Sequence, residues 1–423
     1  MEENIQTKKR KRNMKLYPIY EMIGIDFLFY YGIQVLFLSQ VKGISDAQIV
    51  LAHSLYAFSA MLLQIPISMF VAKVGKHKAL IFGNIINVIC MIIILICPNF
   101  IIYVIEEILN SVAFGIKAIT EPSILENSIP KTKSKGKIFT KIHSKGYSRY
   151  CYISAFSMIL SGVLYDINPY IPVLICLLFC AITVIISYNF YEIDNIEEKE
   201  TFKEEANKLR EGFKFIFASK RLKSLILVIG FIWGISCLFG TYKITILKEL
   251  NCTATIIGII TAVYELVTGT ISKKANYMNE KLKNKTLSSV MFSMTISFIL
   301  IGIILFCNIA GNIKVSTIIL LYFVIAGAHG ICQVIQSRYL NNFADNKIVP
   351  LIHSANFIGR NLLRAIIGFL GALILSNFDI KYTMLITGVI FTIIAYAIYQ
   401  YMQTRLGLKP EEYDEKDIKF IYK

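Results

Sequence analysis

Long apolar stretches alternate with short polar connections along almost the whole chain. Twelve of these stretches are long enough to cross a bilayer, whose hydrocarbon core needs about 20 apolar residues per helix. None shows the two-residue alternation of a membrane β-strand. The pattern therefore predicts an all-α membrane protein with twelve transmembrane helices, here called spans one to twelve. The spans are 17–39, 48–72, 79–97, 99–122, 147–167, 170–191, 222–246, 254–272, 287–307, 315–338, 349–376 and 380–402.

Positive charge is concentrated in alternate connections. Of the 44 Lys and Arg residues, 36 lie in the two termini and in every second loop, which accounts for most of the net charge of +16. Basic loops stay on the cytoplasmic side, so the pattern predicts a multi-pass protein with both termini cytoplasmic. It argues against a nucleic-acid partner and for contact with anionic lipid headgroups. Lys243, near the outer end of span seven, is expected to extend its ammonium group to the membrane surface.

The chain repeats itself at about half its length. The segment Lys141–Tyr150 reappears as Leu351–Arg360, at an offset of 210 residues, and a second match at an offset of 215 precedes it. Duplicated membrane halves form the two bodies of many transporters. The repeat predicts two pseudo-symmetric six-helix bundles, residues 1–192 and 222–404, that rock about a central site.

The longest polar connection, residues 193–221, separates the two predicted bundles. Its apolar residues recur at three- and four-residue steps, which predicts an amphipathic helix on the inner membrane surface. These residues are Phe202, Ala206, Leu209, Phe213 and Phe217. We interpret this helix as a tether between the bundles, and residues 405–423 as a cytoplasmic tail.

Ionisable residues inside the spans are the candidates for proton coupling, because a charge at the bilayer centre must face protein or water. We predict that Asp26, Glu265 and Glu106 bind and release protons, and that His329 can do the same, because imidazole titrates near neutral pH. Each of the four has a structural alternative, namely an ion pair or a hydrogen bond within the bundle. Lys117 is interpreted either as a movable counter-ion of Asp26 or as a structural partner.

Polar residues at helical spacing form stripes that predict a substrate site. Asp26, Tyr30 and Gln34 share one face of span one, and Arg360 and Arg364 share one face of span eleven. The two arginines suit a clamp for a carboxylate or phosphate; the alternative is that they pair with acids of the protein. The predicted substrate-binding set is Tyr30, Gln34, Asn110, Lys117, Trp233, Gln333, Asn356, Arg360 and Arg364.

A short motif lies between spans two and three. Lys73, Gly75 and Lys76 match in type the end of a Gly-x-x-x-Asp-Arg-x-Gly-Arg-Arg signature, and we assign them to a gating loop. Ser68 replaces the first Gly of the signature, and Ala72 replaces its Asp. The match is therefore partial, with the acidic position lost.

With this motif, twelve spans and duplicated halves, the chain resembles the major facilitator superfamily of transporters. The segment Gly162–Tyr170 resembles a poorly characterised bacterial subgroup, and the abundance of Ile, Lys and Asn suggests an AT-rich genome, as in a low-GC bacterium. We therefore expect the protein in a bacterial plasma membrane. In the family the motif's Asp helps to latch the halves together, so its replacement implies that another contact takes this part. The family's antiporter signature in span four, Arg-x-x-Gln-Gly, is absent, since Ser111 stands at its Arg position.

The resemblance implies a secondary active transporter that works by alternating access on a small-molecule substrate. We expect proton-coupled export of small amphipathic or drug-like compounds by a monomer. The alternatives are proton-coupled uptake of an anionic or zwitterionic nutrient, and a membrane sensor or scaffold that transports nothing. The proton gradient is the expected driving force, with sodium as an alternative and no cofactor. Because neither a phosphate-binding loop nor a metal-binding cysteine pattern occurs, we predict no enzyme activity and no metal site.

Overall fold

The computed structural model describes residues 2–130, 132, 134–193, 207, 210, 211, 214, 220–282, 285–342 and 349–403. Within these residues the chain forms helices and no β-strand, as the hydrophobic pattern predicts. The helices are α1 (Glu2–Gly24), α2 (Gln34–Leu36), α3 (Asp46–Val74), α4 (Lys76–Ile96), α5 (Phe100–Ser128), α6 (Lys135–Ile167), α7 (Tyr170–Tyr188), α8 (Lys220–Glu249), α9 (Ala254–Ser272), α10 (Ala275–Leu282), α11 (Thr286–Phe306), α12 (Gly311–Asn342), α13 (Val349–Asn377) and α14 (Ile380–Gln403). A π-helical turn, Phe37–Val41, continues α2.

Ten of the described helices are long and apolar enough to cross a membrane. They are α3, α4, α6, α7, α8, α9, α11, α12, α13 and α14, and they correspond to ten of the twelve predicted spans. Large apolar side chains such as Leu174, Leu373 and Ile393 remain exposed on them, as expected of helices that meet lipid. Predicted span four is α5, which is long enough but carries several charges.

Predicted span one is interrupted. Helix α1 ends at Gly24, and helical structure resumes only at Gln34, so the prediction of one helix over 17–39 is wrong. Residues 25–33 form turns, and within them Phe29 has a φ of +67°. A non-glycine residue in this left-handed region costs conformational energy, which the surrounding packing must offset.

Two local causes account for the interruption. The residues after Gly24 are rich in aromatic side chains, which have low helix propensity. Phe27 packs its ring on Tyr31 of the same segment, with centroids 5.6 Å apart, and on Phe114 of α5 at 5.5 Å. The ammonium group of Lys117 donates a hydrogen bond to the Gly24 carbonyl, which would otherwise be unsatisfied where α1 ends. Tertiary contacts with α5 therefore replace the helical hydrogen bonds.

The chain divides into two units. Unit 1 comprises Met1–Ile44, Leu62–Phe202 and Thr253–Ala262, and unit 2 comprises Ser45–Met61, Lys203–Cys252 and Val263–Lys423. Each unit thus holds most of one predicted bundle and a short segment of the other. The predicted boundaries at 192 and 222 stay a prediction. The amphipathic pattern predicted between them and the tail 405–423 lie outside the described residues.

In unit 1, aromatic side chains fix α1 against its neighbours. Tyr20 of α1 meets Phe190 edge to face, with ring centroids 5.6 Å apart, in a buried cluster that includes Leu80 of α4 and Leu125 of α5. Further along, Phe29 packs on Phe179 of α7 at 5.6 Å. These contacts hold the interrupted segment of span one inside the unit.

In unit 2, a stack of aromatic rings joins four helices. Phe239 of α8 contacts Phe298 of α11 at 5.5 Å and Tyr322 of α12 at 5.0 Å between ring centroids. Phe298 in turn contacts Phe391 of α14 at 6.1 Å. Tyr242 donates a hydrogen bond to the carbonyl of Gly371 in α13 at 2.8 Å. Aromatic packing therefore makes a large part of the core of unit 2.

The segment that each unit takes from the other half of the sequence occupies an equivalent place. In unit 1, α9 begins beside α6, where Asp166 accepts hydrogen bonds from the N–H groups of Ala254 at 3.2 Å and Thr255 at 2.9 Å. In unit 2, α3 lies beside α13, where a Cβ added at Gly368 would overlap Ser54. Helices α6 and α13 carry the sequence repeat, and α3 and α9 begin 208 positions apart, at residues 46 and 254. The duplication is thus visible inside both units.

Candidate functional site

The predicted gating loop is a one-residue turn between α3 and α4. Gly75 has a φ of +96°, a conformation that favours glycine, and a Cβ there would lie 3.1 Å from the Glu192 carboxylate. The Glu192 carboxylate accepts hydrogen bonds from the N–H groups of Lys76 at 2.9 Å and His77 at 3.3 Å. A carboxylate at this position caps the N-terminus of α4 and complements its dipole. Glu192 was not among the predicted residues; it stabilises the loop, in which Ala72 stands at the acidic position of the signature.

Replacing Glu192 with Ala should lower the free energy of unfolding by about 1 kcal/mol, the usual cost of a lost helix cap. Thermal unfolding of the purified protein in detergent would measure the loss. The matched control is Glu126→Ala, because Glu126 forms only an exposed ion pair with Lys135 at 2.9 Å. Equal melting temperatures for the two variants would show that Glu192 does not stabilise the loop.

Asp26 lies in the turns that follow α1 and is half-buried. Its carboxylate accepts a hydrogen bond from the Tyr150 hydroxyl of α6 at 3.0 Å. The predicted helical stripe of Asp26, Tyr30 and Gln34 is wrong, because the first two residues lie in turns and only Gln34 is helical. Tyr150 occupies the position that the repeat aligns with Arg360, so both halves place a polar side chain here.

Glu106 of α5 is the most buried of the three predicted proton-binding acids, with 1% of its surface exposed. Neither of its carboxyl oxygens has a hydrogen-bond partner by distance and angle among the described residues, and the Cys90 thiol donates to its backbone carbonyl at 3.8 Å. One turn away Asn110 Oδ1 is buried and unpartnered, as is Tyr30 Oη, on which Glu106 acts electrostatically. A charged carboxylate is costly in such surroundings, which therefore suit a carboxyl group that carries a proton.

The neighbouring acid has different surroundings. Glu107 accepts a hydrogen bond from the Tyr103 hydroxyl at 2.7 Å, and Gln34 donates to the same hydroxyl at 3.2 Å. Of the two adjacent acids, Glu107 is thus held in a hydrogen-bonded chain, whereas the carboxyl group of Glu106 is not. Gln34 contributes to this chain from the helix that follows the interruption.

Lys117 is buried, with 3% of its surface exposed. Its ammonium group donates to the Gly24 carbonyl, lies 3.8 Å from the Glu121 carboxylate and 4.8 Å from the centroid of the Phe114 ring. Tyr20 also donates to Glu121, at 2.8 Å. In this structure Lys117 therefore caps the C-terminus of α1 and balances the charge of a partly buried acid, and its predicted movement towards Asp26 stays a prediction.

In unit 2, three predicted residues, His329, Gln333 and Arg360, lie around Trp233 of α8, which is itself in the predicted set. Its indole ring lies 5.0 Å from the His329 ring of α12 and 4.2 Å from the Arg360 guanidinium of α13. Its Nε1 donates to Gln336 Oε1 at 3.1 Å, and Gln333 Nε2 lies 2.8 Å from His329 Nε2. Because the Gln333 amide donates, His329 Nε2 accepts and the ring proton of the neutral form is assigned to Nδ1. That Nδ1 is buried and has no partner among the described residues.

Arg360 is a half-buried cation that lies among aromatic rings. Its guanidinium lies over Trp233 and 5.8 Å from the Phe357 ring, and no carboxylate of the described residues forms an ion pair with it. One turn before it, Asn356 Oδ1 is buried and unpartnered. One turn after it, Arg364 places its guanidinium 5.1 Å from the Tyr56 ring. The aromatic faces stabilise both cations, and for Arg360 they do so without an ion-pair partner among the described residues.

Glu265 of α9 differs from the other predicted acids because its side chain is exposed. The exposed apolar residues of the same helix include Ile256, Ile259 and Leu266. At about 100° per residue, Glu265 lies 100° or more from each of them around the helix. Its carboxylate therefore does not share the apolar stripe of α9, and its predicted role in proton coupling stays a prediction.

Lys243 contradicts the expectation that it reaches the membrane surface. The residue is 6% exposed, and its ammonium group lies 4.1 Å from the centroid of the Tyr264 ring. Its charge and that of Arg360 both act on His329. Lys243 lies ten residues after Trp233 on α8, which places the two side chains about 80° apart around the helix.

Unsatisfied polar atoms concentrate on predicted residues of both units. Among the described residues, eleven buried side-chain oxygen or nitrogen atoms have no hydrogen-bond partner. Six of them belong to the predicted set, namely two to Glu106 and one each to Tyr30, Asn110, His329 and Asn356. Buried polar groups are nearly always satisfied, so such clusters indicate places where water or a ligand binds.

The family model of the Major Facilitator Superfamily matches residues 19–245, which is more than half of the chain. The match begins inside α1, continues through α7 and ends in α8. It therefore includes the interrupted span, the gating loop and Glu106. No curated protein matches the chain.

Solved transporter structures are similar over nearly the whole chain. The nucleoside transporter NupG has a TM-score of 0.70 at 12% identity, covering 93% of this chain and 99% of NupG. An inward-facing, unoccupied bacterial homologue of the human lysosomal transporter Spinster has a TM-score of 0.67 at 16% identity, with 94% and 98% covered. A POT family transporter in complex with 5-aminolevulinic acid has a TM-score of 0.66 at 13% identity, with 95% and 96% covered. The predicted fold is therefore confirmed.

Proposed function

Because this chain belongs to the Major Facilitator Superfamily, it is a multi-pass membrane transporter and not an enzyme, and we propose that it couples protons to the uptake of a small anionic or zwitterionic solute. The solute's anionic group binds at Arg360 in unit 2. The proton binds at Glu106 in unit 1. Transport proceeds by alternating access.

The observation that carries the proposal is the uncompensated charge of Arg360. A guanidinium keeps its charge at any physiological pH, and burying it without an anion costs free energy. Trp233 lowers this cost through its ring face, and the unpartnered His329 Nδ1–H offers a second donor nearby. A carboxylate or phosphate of a solute would receive charge-assisted hydrogen bonds from such a site. A neutral amphipathic compound would not neutralise the charge of the Arg360 guanidinium.

For an anionic solute, its net charge also explains why a proton is needed. A membrane potential that is negative inside opposes the entry of an anion by about 2.3 kcal/mol per 100 mV. A proton that enters with a monoanion cancels this cost, because the pair is neutral. Glu106, buried and without hydrogen-bond partners for its carboxyl oxygens, has the surroundings that favour binding such a proton.

A panel of solutes tests the substrate class by thermal stability of the purified protein. The panel contains 5-aminolevulinic acid, a dipeptide, a dicarboxylate, a nucleoside and a cationic dye. We expect at least one of the anionic or zwitterionic solutes to raise the melting temperature. Arg360→Gln should weaken that binding about 10- to 100-fold, the effect of losing a hydrogen bond to a charged group.

The matched control for this experiment is Lys381→Gln. Lys381 is also a cation over aromatic rings, 5.6 Å from the centroids of both Phe306 and Tyr382, and lies outside the Trp233 cluster. Its variant loses the same single charge and should bind the solute as the unmodified protein does. Stabilisation by the nucleoside or the dye alone, unchanged in Arg360→Gln, would contradict the proposal.

Export of amphipathic or drug-like compounds in exchange for protons is the second candidate. Its support is the aromatic lining of the same cluster, where Trp233, His329 and Phe357 offer ring faces to a flat apolar solute. This candidate predicts that the dye raises the melting temperature and that Trp233→Ala removes the effect. The same panel therefore separates the two candidates.

A further inference from the structure

The N-terminal part of α1 has one face that is basic and then apolar. Lys8, Lys11, Arg12 and Lys15 recur at three- and four-residue steps, and Leu16 and Ile19 continue the same stripe. These six residues line a cavity of about 370 Å³. Among the described residues that line it, none is acidic. The stripe runs from cationic to apolar in the direction in which α1 enters the protein.

The opposite face of α1 is fixed to unit 1. Asn13 donates hydrogen bonds to Ser128 at 3.0 Å and to the carbonyl of Tyr191 at 2.8 Å, and Arg10 donates to the carbonyl of Asn127 at 2.8 Å. Tyr17 is buried against α4 and α5. The helix therefore cannot turn its basic face towards the protein, and the lysines stay on the outside.

Arg12 is held in place by uncharged groups. It donates to Asn189 Oδ1 at 2.6 Å and to the Tyr191 hydroxyl at 3.2 Å, and lies 5.0 Å from the centroid of the Tyr191 ring. Lys8, Lys11 and Lys15 are exposed. Four positive charges therefore line one cavity. Arg12 is held in a fixed position, and its hydrogen-bond partners Asn189 and Tyr191 are uncharged, so they do not neutralise it.

We propose that this cavity, which we call the α1 basic groove, binds the headgroup of an anionic phospholipid. The phosphate lies between the lysines and Arg12, and the acyl chains run along Leu16 and Ile19 into the membrane. Complementarity of charge favours this occupant, because clusters of cations next to a membrane segment attract anionic lipids. Lysine stems also cover apolar surface while their ammonium groups stay at the headgroup level.

The apolar end of the groove distinguishes a lipid from a free anion. Ile19 exposes 43% of its surface directly beyond the lysines, in line with them along the helix. The distance from Lys8 to Ile19 along the axis is roughly 16 Å, at 1.5 Å per residue, which suits a headgroup with the start of its chains. Inorganic phosphate would use only the basic end.

Native mass spectrometry of the full chain tests the proposal, with phosphatidylglycerol and phosphatidylcholine supplied in equal amounts. The unmodified protein should retain about ten times more phosphatidylglycerol than phosphatidylcholine, because several lysines attract the anionic headgroup. The triple variant Lys8→Gln, Lys11→Gln, Lys15→Gln should bring the two lipids close to equal retention. The matched control Lys137→Gln, Lys141→Gln, Lys145→Gln removes three exposed lysines of α6 and should keep the preference.

Three outcomes would overturn the proposal. An equal loss of preference in both triple variants would show that net charge alone attracts the lipid. An unchanged preference in the α1 variant would place the lipid elsewhere. A parallel thermal titration with inorganic phosphate and with short-chain phosphatidylglycerol separates the two anion sources. Equal stabilisation by the two would show that the groove is an anion site and not a lipid site. Because all three lysines are exposed, the α1 variant should melt at the same temperature as the control when no lipid is added.

Discussion

Glu106→Gln should abolish proton-driven accumulation of solute while leaving exchange of solute across the membrane intact. Glutamine keeps the size of the side chain and its polar atoms but cannot take up and release a proton at physiological pH. One cotransported proton at a pH difference of one unit supports about tenfold accumulation, since one unit corresponds to 1.36 kcal/mol. The variant should accumulate nothing beyond the external concentration.

The physical reason lies in the surroundings of Glu106. The residue is 1% exposed, and its carboxyl oxygens, Tyr30 Oη and Asn110 Oδ1 all lack partners among the described residues. The free energy of a carboxyl group in such surroundings changes strongly when the group gains or loses its charge. Protonation of Glu106 can therefore bias unit 1 between arrangements that differ in how much water or solute reaches this cluster.

The measurement uses vesicles that contain the purified protein and the solute selected by the thermal panel. Accumulation is followed under an imposed pH gradient, and exchange is followed without one. Glu107→Gln is the matched control, because Tyr103 can still donate to the amide oxygen of the variant. Accumulation by Glu106→Gln equal to that of Glu107→Gln would remove Glu106 from the coupling step. Loss of exchange as well would mean that the substitution damages the fold or the solute site.

The hydrophobic pattern predicted most helix boundaries closely, because a membrane span is a local property of the chain. The predicted span 254–272 coincides with α9, and 380–402 differs from α14 by one residue. The interruption after Gly24 could not be predicted in this way. It depends on Lys117 and Phe114, which lie more than 80 residues away and supply the contacts that replace helical hydrogen bonds.

The sequence predicted many of the residues of the candidate site, but fewer of the contacts between them. The predicted site residues included Trp233, His329 and Arg360, and the structure brings these three together in unit 2. Spacing did not reveal that Glu192 caps α4, because that contact joins positions more than 100 residues apart. It also missed Lys243, whose place near a helix end suggested exposure, although its ammonium lies on a buried tyrosine ring. Partners set by tertiary packing leave no periodic signal.

Lys117→Met should destabilise the protein by about 3 kcal/mol, at the lower end of the range for breaking a buried ion pair. The variant leaves the Gly24 carbonyl without its donor and the Glu121 carboxylate without its cation. The expected loss of unfolding free energy lies at the lower end of this range because Tyr20 still donates a hydrogen bond to Glu121 at 2.8 Å. Reversible unfolding by denaturant in detergent micelles measures it.

The double variant Lys117→Met, Glu121→Gln decides between the two interpretations of Lys117. Removing both charges restores most of the lost stability, because no unpaired carboxylate remains. If Lys117 is only a structural partner, the double variant should also recover solute accumulation under a pH gradient. If Lys117 moves to Asp26 during transport, stability should return while accumulation stays low. A double variant as unstable as Lys117→Met would show that the Gly24 carbonyl, and hence the interruption of span one, is what Lys117 mainly stabilises.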